Sequence, residues 1–174
     1  MQLLYLFTFA PLAVASTLGR RDANAVYDDI TGIDTAVRAL TAAVNAYNGG
    51  ILQSQPVFDR TLAVHNSNRQ GFADATASSS FSEADSKRIV DHVSNSVGIS
   101  IPESAKAIEA KKPLFDDAQL SSVIESTIQL LKSDHETFSA AVGTKLTLDQ
   151  APAGLAAAGA IDGVLQELAL YYAL

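Results

Sequence analysis

Apolar residues recur along the chain at the three- and four-residue spacing of amphipathic helices, and no segment alternates long enough to argue for a strand. The clearest run sets Val26, Ile30, Ile33, Val37, Leu40 and Val44 on one stripe of a helix from about Ala23 to Tyr47, ended by Asn48, Gly49 and Gly50. A second helix, from about Ser54 to Ala75, places Phe58, Leu62 and Phe72 on one face and tolerates Pro56 in its first turn. Ser82-Glu83-Ala84-Asp85 opens a third as an N-cap followed by acids in the first turn, with Ile89, Val93 and Val97 as its stripe. Gly98 and Pro102 are expected to interrupt it, helix resuming from Ser100 to Lys112 until Pro113 stops it. A fourth long helix, capped by Asp116 or Asp117 and running to about Val142, carries Leu120, Ile124, Leu131, Phe138 and Val142. A fifth, from about Ala153 to Tyr172, uses Ile161, Leu165, Leu168 and Tyr172. About five amphipathic helices joined by short loops predict an all-α antiparallel bundle.

The last helix crowds Gly154, Ala156, Ala157, Ala158, Gly159, Ala160 and Gly163 into its first half. Such a face either lets two backbones approach closely or leaves a hollow between helices. Close packing is the ordinary outcome in a protein interior. An apolar hollow between bundle helices is where a lipid chain would sit.

The start of the chain has another character. Residues 1–15 form a short apolar run ending in Ala13-Val14-Ala15, the small-x-small pattern of a signal-peptidase site, although no Lys or Arg precedes it. The run is too short to span a bilayer. Arg20-Arg21 then reads as a dibasic processing site, making residues 16–21 a short propeptide and residues 22–174 the helical-bundle domain. The expected destination is secreted: extracellular or cell wall. An exported domain of 153 residues buries about 70% of the surface its unfolded chain exposes, so the absence of cysteine points to packed helices rather than a cross-linked scaffold. Processing would move the net charge from −7 to −9, which argues against a nucleic-acid partner and against attraction to an anionic membrane.

Catalytic arrangements are absent from the sequence pattern. His65, His92 and His135 show no i, i+4 metal spacing, no Gly-x-Ser-x-Gly elbow occurs, and the acidic pairs Asp28-Asp29 and Asp116-Asp117 lie near helix starts, where acids complement the macrodipole. Neither an enzyme nor a cofactor is expected. Polar residues that interrupt apolar stripes are more informative. Helical rotation puts Gln55, His65 and Arg69 on the face of Phe58, Leu62 and Phe72; Thr127 lies within the stripe of the fourth helix, His135 on its flank, and Thr41 beside the stripe of the first. A buried donor must be satisfied, and a fatty-acid carboxylate facing Arg69 or His65 would do so. The alternative leaves Arg69 at the bundle rim, His65 on a backbone carbonyl and each Thr bonded to its own helix. The candidate ligand-binding set is Val37, Leu40, Thr41, Phe58, Leu62, His65, Arg69, Ile124, Thr127, Leu131 and Leu165.

The segment Ala110-Lys111-Lys112-Pro113-Leu114-Phe115-Asp116, between two amphipathic helices of an exported, cysteine-free chain, resembles the fungal hydrophobic surface-binding protein A family, which includes antigenic cell-wall galactomannoproteins. The early Val26, Ile30, Ile33, Asp34 pattern, the Phe81-to-Asp85 helix start and the terminal paired tyrosines agree with it. The resemblance implies a helical domain in the wall or medium that adsorbs to hydrophobic surfaces and, in some members, encloses a fatty acid. The chain lacks the Ser/Thr-rich stalk and lipid-anchor tail of the longer galactomannoproteins, which favours a freely secreted or loosely held protein. The preferred expectation is a non-enzymatic protein binding a fatty acid or other hydrophobic ligand in an apolar cavity between helices. The competing expectations are an adhesion protein for hydrophobic surfaces and a structural mannoprotein associated with cell-wall polysaccharide.

Overall fold

The computed structural model describes residues 12–174, with side chains from residue 22 onward. The expected leader lies largely outside these residues, as do the side chains of the dibasic site. The described chain is all-helical: α1 (Leu12–Ala46), α2 (Gln55–Ala77), α3 (Glu83–Asn95), α4 (Val97–Ala110), a single turn and a half α5 (Lys112–Asp117), α6 (Ser121–Gly143) and α7 (Ala151–Ala173). A 3-10 turn, Leu52–Ser54, leads into α2.

These helices form a closed ring. α1 packs on α2 and, on its other side, on α4 and α3; α2 packs on α6, α6 on α7, and α7 returns to α4 and α3. α1, α3, α4, α6 and α7 turn their apolar stripes to the middle. The stripe of α1 is buried at every position the spacing names, from Val26 to Val44. Gly49 and Gly50, at φ +101° and +85°, supply the left-handed turn that redirects the chain after α1. Ser82 caps α3 by accepting from the Asp85 amide at 3.1 Å while its hydroxyl donates to the Asp85 carboxylate at 2.7 Å.

Three local expectations are corrected. The break in the third helix falls at Ser96 (φ −124°, ψ −92°), whose hydroxyl donates to the His92 carbonyl at 2.6 Å; Pro102 sits inside α4, which loses one helical bond there and continues. Pro113 begins α5 instead of ending a helix, since proline suits a first turn. Neither Asp116 nor Asp117 caps α6, which starts after Leu120, behind Gln119 at φ +58°. Asp116 instead accepts from Ser121 and from Lys112.

Both ends of the ring are tied shut. At one end Phe115, fully buried, stacks on Tyr47 with 4.6 Å between ring centroids, and Lys111 donates to the Tyr47 carbonyl at 2.7 Å. Tyr172 closes the same end by donating to the Ile108 carbonyl at 2.8 Å. The Lys-Lys-Pro-Leu-Phe segment is thus the floor of the bundle. At the other end Lys145 reaches the Ser78 carbonyl at 2.6 Å, and its own carbonyl accepts from the Phe81 amide at 2.8 Å.

Candidate functional site

The ring does not fill its centre. A cavity of about 520 Å³ lies between the helices, within the range of small-molecule sites. Its wall is built from Ile30, Ile33, Val37 and Leu40 of α1, Val64 of α2, Ile89 and Val93 of α3, Val97, Ile101, Ala105 and Ile108 of α4, Ile128, Leu131 and Phe138 of α6, and Ile161, Leu165 and Leu168 of α7. The small residues Gly154, Ala157, Ala158 and Gly159 of α7 also line it, so the crowded face borders a hollow along this stretch. Leu155, Gly159, Ala140 and Gly143 line the cavity and are also exposed, which opens it to solvent between the end of α6 and the start of α7.

Of the eleven candidate residues, Val37, Leu40, Leu131 and Leu165 stand in this wall. The remaining seven do not line it. Ile124 is buried in the core beyond it, Phe58 packs half-buried against the core, and Leu62 faces solvent at 57% exposure. Thr41 donates to the Val37 carbonyl at 2.9 Å and Thr127 to that of Val123 at 2.7 Å, each bonding back to its own helix. Arg69 is exposed, its guanidinium 5.1 Å from the Phe72 ring. His65 pairs with a side chain and not with a backbone carbonyl: its Nδ1 lies 2.6 Å from the carboxylate of Asp134, which is 5% exposed.

The buried face of α2 runs through Val57, Thr61, Val64, Asn68, Gly71 and Ala75, one residue away from the face read in the sequence. Choosing the bulkiest apolar residues misplaced it. Thr61 and Asn68 can go inside because each donates to the carbonyl four residues back, at 2.9 and 3.0 Å. Gly71 fits a close approach: a Cβ there would stand 3.0 Å from the Phe138 ring, which would have to give way slightly.

The cavity carries few polar groups. Asn68, Ser104, His135, Ser139, Glu136 and Asp162 are the ones with side chains in its lining. Ser104 is buried and its hydroxyl has no partner. His135 is held by α7 through Nε2, 3.2 Å from the Ala158 carbonyl, and burial pushes its imidazole below the usual histidine value, against the opposing pull of that carbonyl and of Asp162. Ser139, one turn along, lies 3.3 Å from the ring nitrogens, and Asp162 stands 3.9 Å from Nε2. These three residue types also make hydrolytic triads, but a triad places acid and nucleophile on opposite ring nitrogens. Here Nε2 is held by the Ala158 carbonyl, and Asp162, at 3.9 Å, stands beyond hydrogen-bond distance, so no acid orients the imidazole. The sequence reading missed Asn68, Ser104, Ser139 and Asp162 and set His135 only at the flank of its stripe; a polar residue in register with an apolar stripe, as Ser104 is with Ile101, Ala105 and Ile108, was the available signal.

The other histidine of the upper bundle is structural. His92 stacks on Tyr27 at 3.9 Å and its Nε2 lies 2.8 Å from the Thr31 hydroxyl, joining α3 to α1. Burial holds its imidazole below the ordinary value, ahead of the opposing charge of Asp34. Among the described residues no cluster of three or more His, Cys, Asp or Glu could hold a metal ion.

The fold is similar to that of solved helical domains in complex with fatty acids. The chain is similar to Afmp4p in complex with palmitic acid, at 26% identity and a TM-score of 0.83 over 86% of this chain and 99% of that one. It is also similar to ligand binding domain 1 of the Penicillium marneffei MP1 protein, complexed with arachidonic acids (18% identity, TM-score 0.83, 88% of this chain and 100% of that). Domain 2 of the same protein, complexed with multiple arachidonic acids, matches at 16% identity and a TM-score of 0.81, over 86% and 95%. The two MP1 domains speak to the fold alone. Comparison with curated protein sequences gives no significant match. Residues 23–144, from α1 to just past α6, match the family model described as hydrophobic surface binding protein A. The chain therefore belongs to the hydrophobic surface binding protein A family.

Proposed function

We propose that the protein is a non-enzymatic lipid-binding module that holds the chain of a fatty acid or similar lipid between its helices. The observation that carries this reading is the central cavity of about 520 Å³ with an almost wholly apolar wall. A cavity of that size lined by leucine, isoleucine and valine is a poor site for water and a good one for an alkyl chain. The likeness to Afmp4p with palmitic acid supports it. Of the sequence-derived set, Val37, Leu40, Leu131 and Leu165 contact the chain, while His65, Arg69, Thr41 and Thr127 serve the scaffold. Each buried CH2 contributes about 0.8 kcal/mol. Shortening a sixteen-carbon ligand to eight carbons therefore weakens binding by up to about 6 kcal/mol, about four orders of magnitude in Kd. Displacement of a fluorescent fatty probe by ligands of graded length measures this. Affinity independent of chain length, or no displacement by palmitate or hexadecanol, contradicts the reading.

The protein acts outside the cell, after removal of residues 1–15 as a signal peptide and of residues 16–21 at the dibasic site. Asp22, the expected new terminus, suits that position: its carboxylate accepts from the Ser79 hydroxyl at 2.8 Å, anchoring the start of the bundle to the α2–α3 loop. N-terminal sequencing of secreted protein checks the cut; a terminus other than Asp22 overturns it.

A second reading, adsorption to hydrophobic surfaces, is favoured by the apolar side chains left outside. Leu52, Leu148 and Leu155 are 90%, 93% and 76% exposed, and α7 is long and apolar enough by composition to cross a membrane. Apolar adsorption persists at high salt, whereas adsorption abolished by modest salt would be electrostatic.

A further inference from the structure

We infer that the cavity mouth carries a headgroup subsite, formed by His135 and Ser139 of α6 and Asp162 of α7, that takes the neutral hydroxyl of a single-chain lipid in preference to a carboxylate. This rests on the lipid-binding reading and adds the polar end of the ligand to it.

Asp162 lines the cavity, and its Oδ1 is buried with no hydrogen-bond partner. A carboxylate can only accept, so the group that completes this site must donate. The donors of His135 and Ser139 beside it are already engaged. His135 Nε2 lies on the Ala158 carbonyl at 3.2 Å and donates there; Nδ1 then accepts from the Ser139 hydroxyl at 3.3 Å. Burial favours the neutral imidazole, which leaves Lys132 as the cation near His135 and Asp162. Lys132 is bonded to Glu136, and Glu136 itself lines the mouth as a second carboxylate.

An incoming carboxylate would meet two carboxylates of its own sign in a partly dehydrated site, against a single ammonium, that of Lys132, already bonded to Glu136. An alcohol meets the opposite situation. Its O–H donates to Asp162 Oδ1, satisfying the orphaned oxygen, and its alkyl chain continues along Ile161 and Leu165 into the cavity. Leaving such an acceptor unsatisfied costs on the scale that separates good ligands from poor ones.

The test uses the secreted protein stripped of lipid, with hexadecanol and palmitate competing against a fluorescent fatty probe at about pH 8, where the free acid is ionised. Hexadecanol is expected to bind about tenfold or more tighter than palmitate. Asp162→Asn, whose amide can donate to a carboxylate, should shift the ratio about tenfold toward palmitate; Asp162→Ser, with a smaller neutral donor, should shift it the same way if the first variant folds poorly. Palmitate binding as tightly as hexadecanol in the unsubstituted protein, or an unchanged ratio in the folded variants, overturns the subsite while leaving the lipid-binding reading intact. Failure of both ligands to displace the probe overturns the lipid-binding reading, and the subsite with it.

Discussion

Asp29 shows how a single residue can oppose the fold. It lies where α1 meets α2, with one carboxylate oxygen buried and unpartnered. Burial first, then the Asp74 carboxylate of α2 and that of Asp28, raise its pKa to about 6. A carboxyl whose folded pKa is raised binds its proton more readily in the folded state than in the unfolded one. Stability is therefore lost as pH rises from the ordinary carboxylate value through about 6, and the loss persists above that. Asp29→Asn should raise stability above about pH 6 by about 1 kcal/mol, a figure discounted for partial exposure, and should change little below about pH 4. Thermal unfolding at a series of pH values checks this; a variant less stable than the parent at neutral pH contradicts it. At this scale the apolar residues of α1, α6 and α7 were legible, whereas Phe58 and Leu62 of α2 and the polar residues were not. Val37, Leu40, Leu131 and Leu165 sit in the cavity wall as well as on their stripes, because burial of a branched aliphatic needs no partner. Asp134 escaped notice because its burial depends on His65, sixty-nine positions away in sequence, and no local pattern records that.

Single elements were legible according to how strongly periodicity agrees with capping. The stripe of α1 and the N-cap of α3 need only local rules, and both appear where the residues place them. Ser82→Ala removes the acceptor for the Asp85 amide and should cost about 1 kcal/mol, read as a lower denaturation midpoint with unchanged slope. A cost near zero would mean that the α3 terminus is held by tertiary contacts alone. α2 was harder because its inner face is built of small and polar residues, with Thr61, Asn68 and Gly71 inside and Leu62 outside. Its neighbours set this choice. The Phe138 ring of α6 presses where Gly71 offers no Cβ, and that close approach rotates the bulkier residues away. The α4–α6 connection obeyed tertiary packing too: Phe115 must stack on Tyr47, so the chain takes a short extra helix where a proline had suggested an end.

For the molecule as a whole, the bundle class follows from the stripes, but the hollow does not. Whether small residues on one helix meet a neighbour or border a void depends on how far apart the ring holds α6, α7 and α4, a distance set by all six ring helices together. The Lys-Lys-Pro-Leu-Phe floor and the Lys145 contacts fix that spacing at the two ends, leaving the middle open. Zero cysteine fits this design, since the ring is closed by packing and by hydrogen bonds from three long side chains, Lys111, Lys145 and Tyr172. Filling the cavity should separate folding from binding. Ala157→Phe, on the α7 wall, is expected to abolish probe binding while the helical circular dichroism and melting temperature stay near or above those of the parent. Binding that survives the substitution would locate the ligand elsewhere.

The central claim is that a lipid chain occupies the space between the helices, and native mass spectrometry of protein secreted from a eukaryotic host tests it most directly. A population heavier than the bare polypeptide by the mass of a long-chain lipid is expected, lost on delipidation and absent in Ala157→Phe. A single species at the polypeptide mass before delipidation, unchanged after addition of palmitate or hexadecanol, would contradict it.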